Sequence, residues 1–374
     1  MSKPEEMLPP QNEPESAQLD YVEELPDLAT IQERHPDWPK LELSFYFAPH
    51  GNNKDMEGIA PQLAKADILL YEEVVAHEDD VAIRYENLDD FNKLSVNPAV
   101  SLRRAMRDGE VSGSSYEPLL KGIYKSKKAI GLIDIGDTNY ERELVQEMQT
   151  LFDQSWIKGM EYSEALSAYN ETWARMGELM HQREVLMVEK FEKEIDRILY
   201  ARPDLLKREN VRILISMGAG HTTLRHLFRQ AGMRSERNFS AESPYTFNYL
   251  NELIRTHMFN REPSERLVKQ ALTESILSRS LDEMRENFSI RTDDDDTYKR
   301  RIVSLLTDDE LEGAYEAWSE HANLRAYFDN VLQRHDVDHL ARSDKEIREF
   351  IKRPKKTARN LAKIALRDLF RKGK

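Results

Sequence analysis

The chain has 374 residues, 40% hydrophobic and 33% charged, with 15 Tyr, 13 Phe and 4 Trp; this is enough apolar material for a sizeable core, and the surplus charge points to long exposed helices. Cysteine is absent, which excludes disulfides, thiolate metal sites and a cysteine nucleophile. The formal net charge is −14, yet residues 341–374 hold 13 Lys and Arg against 4 Asp and Glu, so an acidic body carries a basic tail and a general nucleic-acid-binding surface on that body is disfavoured.

Residues 1–40 hold Pro4, Pro9, Pro10, Pro14, Pro26, Pro36 and Pro39 among many acids. Such a segment buries too little apolar surface to offset its ordering entropy, so a largely disordered tail is expected. The alternative is an ordered arm anchored on the body by Tyr21, Val22, Leu25 and Trp38. The N-terminus lacks the cationic start and apolar run of a signal peptide, and no apolar run reaches the ~18 residues needed to cross a bilayer. A cytoplasmic protein is expected.

The first strand is Leu41–Phe47, ended by Pro49-His50-Gly51-Asn52-Asn53. A helix follows, with Met56, Ile59, Leu63 and Ala66 on one apolar face. Asp67-Ile68-Leu69-Leu70-Tyr71-Glu72-Glu73 is a second short strand, an apolar run ending in two carboxylates. Strand, helix, strand is a βαβ unit, which favours parallel pairing. Ala129–Ile135 is a third strand. From about 140 to 200 the pattern predicts two long helices, broken near Lys158-Gly159, as a hairpin that projects from or covers the sheet. Val211–Met217 is the clearest strand, and Met233–Phe239 a short fifth one. The remainder is helical, interrupted at Asp293–Asp296 and Pro354. The expected fold is α/β: a mixed or mostly parallel sheet flanked by helices, with a long helical hairpin insertion and a helical C-terminal region. The core spans 41–240, its helical continuation 241–340 and the basic amphipathic tail 341–374.

Two histidines stand just past apolar strands: His50 in Phe-Ala-Pro-His-Gly and His221 in Gly-Ala-Gly-His-Thr. In open α/β sheets the ligand crevice lies at the carboxyl ends of the strands. Side chains alternate along a strand, so one of Glu72 and Glu73 faces that crevice, and Glu72 is nearer the strand proper. A neutral imidazole accepts a proton near pH 7, and a carboxylate orients it. Two imidazoles with one carboxylate (His50, Glu72, His221) are equally a ligand set for a divalent metal. Gly218-Ala219-Gly220 lacks the third glycine of a dinucleotide fingerprint, and no Lys-Ser/Thr follows as in a P-loop.

The run Val211–His221 resembles the second Gly-x-x-His motif of the TIKI/TraB superfamily, which also takes in erythromycin esterases and ChaN-like haem-binding proteins. The family order is a first Gly-x-x-His, a strand-end Glu, a helical Arg and the second Gly-x-x-His. His50, Glu72, Arg183 and His221 follow that order over about residues 41–240, with Phe47 where the first motif has Gly. The resemblance implies a pocket in which Arg183 holds Glu72 or a substrate oxyanion. Asp134 is a secondary candidate for orienting a histidine; Glu73 and Glu184 are further secondary candidates without that role, and the ~100° step from Arg183 to Glu184 turns the latter away from the pocket centre.

The leading expectation is a hydrolase of an ester or amide bond in a small-molecule or peptide substrate, with His50 or His221 as base. It works without a cofactor or with a divalent metal (manganese, cobalt or zinc). The alternatives are a ChaN-like haem- or metal-binding protein without turnover and a regulatory protein that lost the chemistry. The apolar stripes Ile347, Phe350, Ile351 and Leu361, Ile364, Leu369, Phe370 make the basic tail amphipathic. It is expected to dock on the acidic body, or otherwise on an anionic surface. Substrate and oligomeric state stay open.

Overall fold

The computed structural model describes residues 31–48, 53–72, 86, 88–93, 128–134, 139–153, 155–218, 220–221, 223–233, 235–239, 248–283 and 293–351. Of the expected elements and site residues, the tail to residue 30, His50, Glu73 and residues 352–374 lie outside these.

Strands β1 (Lys40–Ala48), β2 (Ile68–Tyr71), β3 (Ala129–Leu132), β4 (Asn210–Gly218) and β5 (Ser235–Phe239) form one sheet in the order β3-β2-β4-β1-β5. Every pairing is parallel, so the expected mixed or mostly parallel sheet is in fact all-parallel. A parallel sheet must be covered on both faces, and the strands show it: every residue of β2 and β3 is buried. Alternation sorts them into two cores. Leu43, Phe45, Phe47, Ile68, Leu70, Ile213, Ile215 and Met217 face one side. Tyr46, Leu69, Tyr71, Ile130, Leu132 and Leu214 face the other, under Ile59 and Leu63 of α2 (Asn53–Lys65) and under Leu88 and Phe91.

The larger core is roofed by a single helix. After α3 (Asn139–Thr150) the chain turns through Gly159, whose φ of 88° suits a residue without Cβ. Helix α4 then runs unbroken for 40 residues, Tyr162–Ala201. Its Tyr169, Trp173, Leu179, Met187, Phe191, Ile195 and Ile198 are buried in the main core. The expected pair of long helices is therefore one short helix and one very long one, which covers the sheet. Contact with β3 is close because Gly131 has no side chain; Glu194 reaches past it to accept the Leu132 amide at 2.8 Å. Asn92 seals the outer edge of β3, its amide pairing both the N–H (2.9 Å) and the C=O (2.8 Å) of Ile130. An unpaired edge is a template for aggregation, and this one is blunted by a side chain.

Short helices α5 (Pro203–Leu206) and α6 (Leu224–Gln230) flank β4. Helices α7 (Tyr249–Met258), α8 (Glu265–Glu283), α9 (Asp293–Leu305), α10 (Asp308–Ser319) and α11 (Leu324–Gln333) follow. Their apolar faces join the main core through Leu253, Leu272, Ile276, Tyr298, Ile302, Leu311 and Phe328.

One expectation about the chain ends changes. Residues 31–39 do not belong to a disordered tail: Ile31, in the short α1 (Ile31–Arg34), and Trp38 are buried. The Trp38 indole stacks on His35 at 3.8 Å and donates to Asp196 of α4 at 2.9 Å, while Arg34 and His35 pair with Glu192. Two buried apolar anchors and three polar contacts offset the ordering entropy that the proline-rich composition suggested would win. At the other end, α12 (Asp344–Ile351) packs on α9, with Ile347 buried and Phe350 edge-on to Tyr298 at 5.2 Å. This first part of the basic tail docks on the body. No helix among the described residues is long and apolar enough to cross a membrane.

Candidate active site

Because the sheet is all-parallel, every strand's carboxyl end lies at one rim, and the residues beyond those ends meet there. Ile68 and Leu70 face α4, so by alternation Glu72 faces α4 as well. Its own amide still pairs with Ser216 of β4 at 3.1 Å, which fixes the start of its side chain. Asp134 stands two residues beyond β3, and His221 three beyond β4. The His221 turn is closed by its own amide to the Gly218 carbonyl at 3.1 Å. From above, α4 lowers Arg183 and Glu184 onto this rim.

The resulting cluster is compact. Arg183 donates through Nε to Asp134 Oδ1 (3.1 Å) and through Nη2 to Asp134 Oδ2 (2.6 Å) and Glu72 Oε1 (3.1 Å). His221 Nε2 lies 3.0 Å from the same Glu72 Oε1, and the Gly218 amide donates to Glu72 Oε2 at 2.7 Å. On the far side of the ring, His221 Nδ1 lies 3.3 Å from Glu184 Oε1. Glu184 Oε2 accepts the Thr223 hydroxyl proton. Lys190, further along α4, donates to the Asp134 carbonyl at 2.7 Å. His221 is 4% exposed, Arg183 8% and Glu184 0%.

Burial penalises charge, but here each cation touches carboxylates. For Arg183, burial alone would lower the pKa; Asp134 and then Glu72 outweigh it, so the net shift is upward. For His221, burial likewise pulls down, yet Glu72 and Glu184 push the imidazole up to about 9 against the opposition of Arg183. Geometry agrees with that direction. Both ring nitrogens face carboxylate oxygens, an arrangement that suits an imidazolium with two N–H groups better than a neutral ring with one.

The structure thus brings Glu72, Arg183 and His221 together as the sequence suggested. Asp134 joins them through Arg183. Glu184 is a correction: it does turn toward the site. The 100° step on α4 carries it to the other side of the same cluster, because the His221 ring lies alongside the helix and presents Nδ1 to position 184 while Nε2 looks toward the neighbour of position 183. Thr223 and Lys190 carried no sequence signal, since a hydroxyl beside a histidine and one more lysine on a charged helix are ordinary. His226 packs edge-on against Phe259 at 5.7 Å. Phe47 is a core residue, stacked on Phe45 with centroids 5.7 Å apart.

Among the described residues, no group of three His, Asp or Glu is placed to hold a metal ion. Of the expected ligand set, Glu72 and His221 are described, and they do not fit as they stand: the Glu72 oxygen that faces His221 already carries the Arg183 guanidinium. Comparison of the chain with family models, with curated proteins and with solved structures finds no match.

Proposed function

We propose that this chain is a hydrolase of an ester or amide bond, acting at the rim of the sheet without a metal. The observation that carries the reading is the single Glu72 oxygen shared by two buried cations, with Arg183 Nη2 at 3.1 Å and His221 Nε2 at 3.0 Å. In this reading the two cations exchange the Glu72 oxygen for the substrate oxygen that gains negative charge, which they stabilise in a site shielded from water.

An imidazole held as a cation between carboxylates is a poor base and a competent acid. The base role therefore falls to His50, the other histidine of the pattern resembling the TIKI/TraB superfamily. In the sequence it follows β1 by two residues, and β1 pairs with β4, which ends beside the cluster. In this scheme His50 takes a proton from water as the oxygen attacks the carbonyl carbon. Arg183 and His221 stabilise the oxyanion. As the C–O or C–N bond breaks, His221 gives its proton to the leaving group, and the proton on His50 replaces it through solvent.

The test is a panel of ester and peptide substrates run on the wild type, His50→Ala and His221→Ala, each with and without a chelator, beside elemental and haem analysis of the purified protein. Turnover that survives the chelator and falls by about 100-fold or more in both variants is expected, the scale of general acid–base contributions. Turnover retained in both variants would overturn the reading. So would a stoichiometric haem or metal with no turnover, which would favour the binding-protein alternative.

A further inference from the structure

Glu184 is the cluster member with the least obvious reason to be there. It is fully buried, and removing a carboxylate from water costs several kcal/mol unless a cation or good donors compensate. Its compensation is incomplete. Oε2 holds the Thr223 hydroxyl, but among the described residues Oε1 has no hydrogen bond, and neither has His221 Nδ1. These two orphaned atoms face each other at 3.3 Å, near enough for an ion pair but misaligned for a hydrogen bond. A small rotation of the ring or carboxylate joins them. Two buried, mutually facing and otherwise unpartnered groups describe a bond waiting to close. A buried ion pair kept for stability alone is a weak device, since an apolar pair of the same volume does as well. Orientation is what such a pair gives that an apolar pair does not.

We infer that Glu184, anchored by Thr223, is the positioning residue of His221: it grips Nδ1 and so fixes the ring with Nε2 on Glu72. The arrangement is carboxylate–imidazole–carboxylate, with Glu72 at the working end and Glu184 behind. Thr223 supplies the third link, because its hydroxyl fixes the carboxylate rotamer, as outer partners of functional imidazoles commonly do. Glu184 touches no reacting atom in the proposed hydrolysis, on which the catalytic part of this inference rests.

The experiment compares the full chain with Glu184→Ala, Glu184→Gln and Thr223→Val, by turnover and by NMR of histidine-selective ¹⁵N-labelled protein. Glutamine keeps an acceptor for Nδ1–H and a partner for Thr223, so it separates orientation from charge. In the wild type and Glu184→Gln, His221 shows a solvent-protected Nδ1–H signal; in Glu184→Ala the signal is lost to exchange. With a substrate that the wild type turns over, Glu184→Ala lowers kcat by roughly 10- to 100-fold at nearly constant KM, the usual loss on removing an outer partner of an active imidazole. Glu184→Gln stays within about 5-fold, having lost the charge assistance and kept the bond. Thr223→Val, which removes a hydroxyl at nearly constant shape, weakens the Nδ1–H protection in the same direction and covers the case in which Glu184→Ala does not fold. A protected Nδ1–H signal that persists in both Glu184→Ala and Thr223→Val would overturn the inference, as would equal losses of kcat in Glu184→Ala and Glu184→Gln. Should the wild type turn over nothing, the NMR comparison alone decides the positioning role, and the hydrolase reading falls separately.

Discussion

Replacing Arg183 by methionine keeps most of the side-chain volume and removes the cation that two carboxylates share. Asp134 has a side-chain exposure of 0% and Glu72 of 10%, and both lean on the same guanidinium. Three hydrogen bonds of 2.6–3.1 Å disappear, and Asp134, buried at the rim, loses the guanidinium it pairs with. Breaking a buried pair from one side costs about 3–5 kcal/mol, a large share of the 5–15 kcal/mol that holds a typical domain together. Asp134→Asn alone leaves Arg183 its bond to Glu72 and should cost less, about 1–2 kcal/mol. Combined with Arg183→Met, it removes both halves of one buried pair, so the double variant should be more stable than the sum of the two losses predicts by about 2 kcal/mol. Urea unfolding followed by circular dichroism at pH 7 measures all four corners of this cycle. A loss under about 1 kcal/mol for Arg183→Met, or strict additivity, would refute the account of the cluster as a mutually dependent unit.

Two further outcomes follow from buried groups away from the rim. Glu274 of α8 accepts the Tyr249 and Leu250 amides at the start of α7, while among the described residues its buried Oε1 has no hydrogen bond; burial pushes its carboxyl up to about 8 against the pull of Lys299. A raised carboxyl pKa favours the fold fully below the unfolded value near 4.3 and loses that favour as pH rises through 8, a change on the order of 4 kcal/mol. Glu274→Gln should therefore unfold like the wild type at pH 5 and be the more stable at pH 8.5; urea midpoints that stay parallel across that range contradict it. At Gly131, an added Cβ would fall on Glu194 Oε1 and press Ile198 and Leu70, each 2.8 Å away. Gly131→Ala should cost about 3 kcal/mol, from overpacking and loss of the Leu132 amide bond, and a thermal midpoint within ~2 °C of the wild type would be inconsistent with α4 lying so close to β3.

Strands β1 to β4 were legible because each is a short apolar run closed by a turn or a charge; the fifth, Ser235–Phe239, is largely polar and lies within the short run expected from Met233 to Phe239. Strand parity made Glu72 legible: Ile68 and Leu70 face the core, so the carboxylate two positions on continues that face. Arg183 and His221 were legible in combination, since neither is unusual alone. The single helix of 40 residues was not, because a glycine and a weakened periodicity near 159 mark a break without stating how unequal the two sides are. Glu184 was misjudged for a related reason. Helical angles say which way a side chain leaves its own backbone, whereas the ring that meets it arrives from a separate turn whose position periodicity does not encode. The arm at 31–39 stood only as the alternative to a disordered tail, because tryptophan and histidine in a proline-rich stretch have no periodicity from which docking can be read.

Helix α4, with its 40 residues, is a rod of about 60 Å, and the two halves of the histidine's surroundings depend on it at adjacent positions. Arg183 and Glu184 cannot be adjusted separately by moving that rod: a slide of one residue, about 1.5 Å, or a modest roll would draw one toward the ring as it withdrew the other. Asp196, which holds the N-terminal arm through Trp38, lies thirteen positions down the same shaft. The arm and the rim are thus fastened to one and the same helix, about 20 Å apart along its axis.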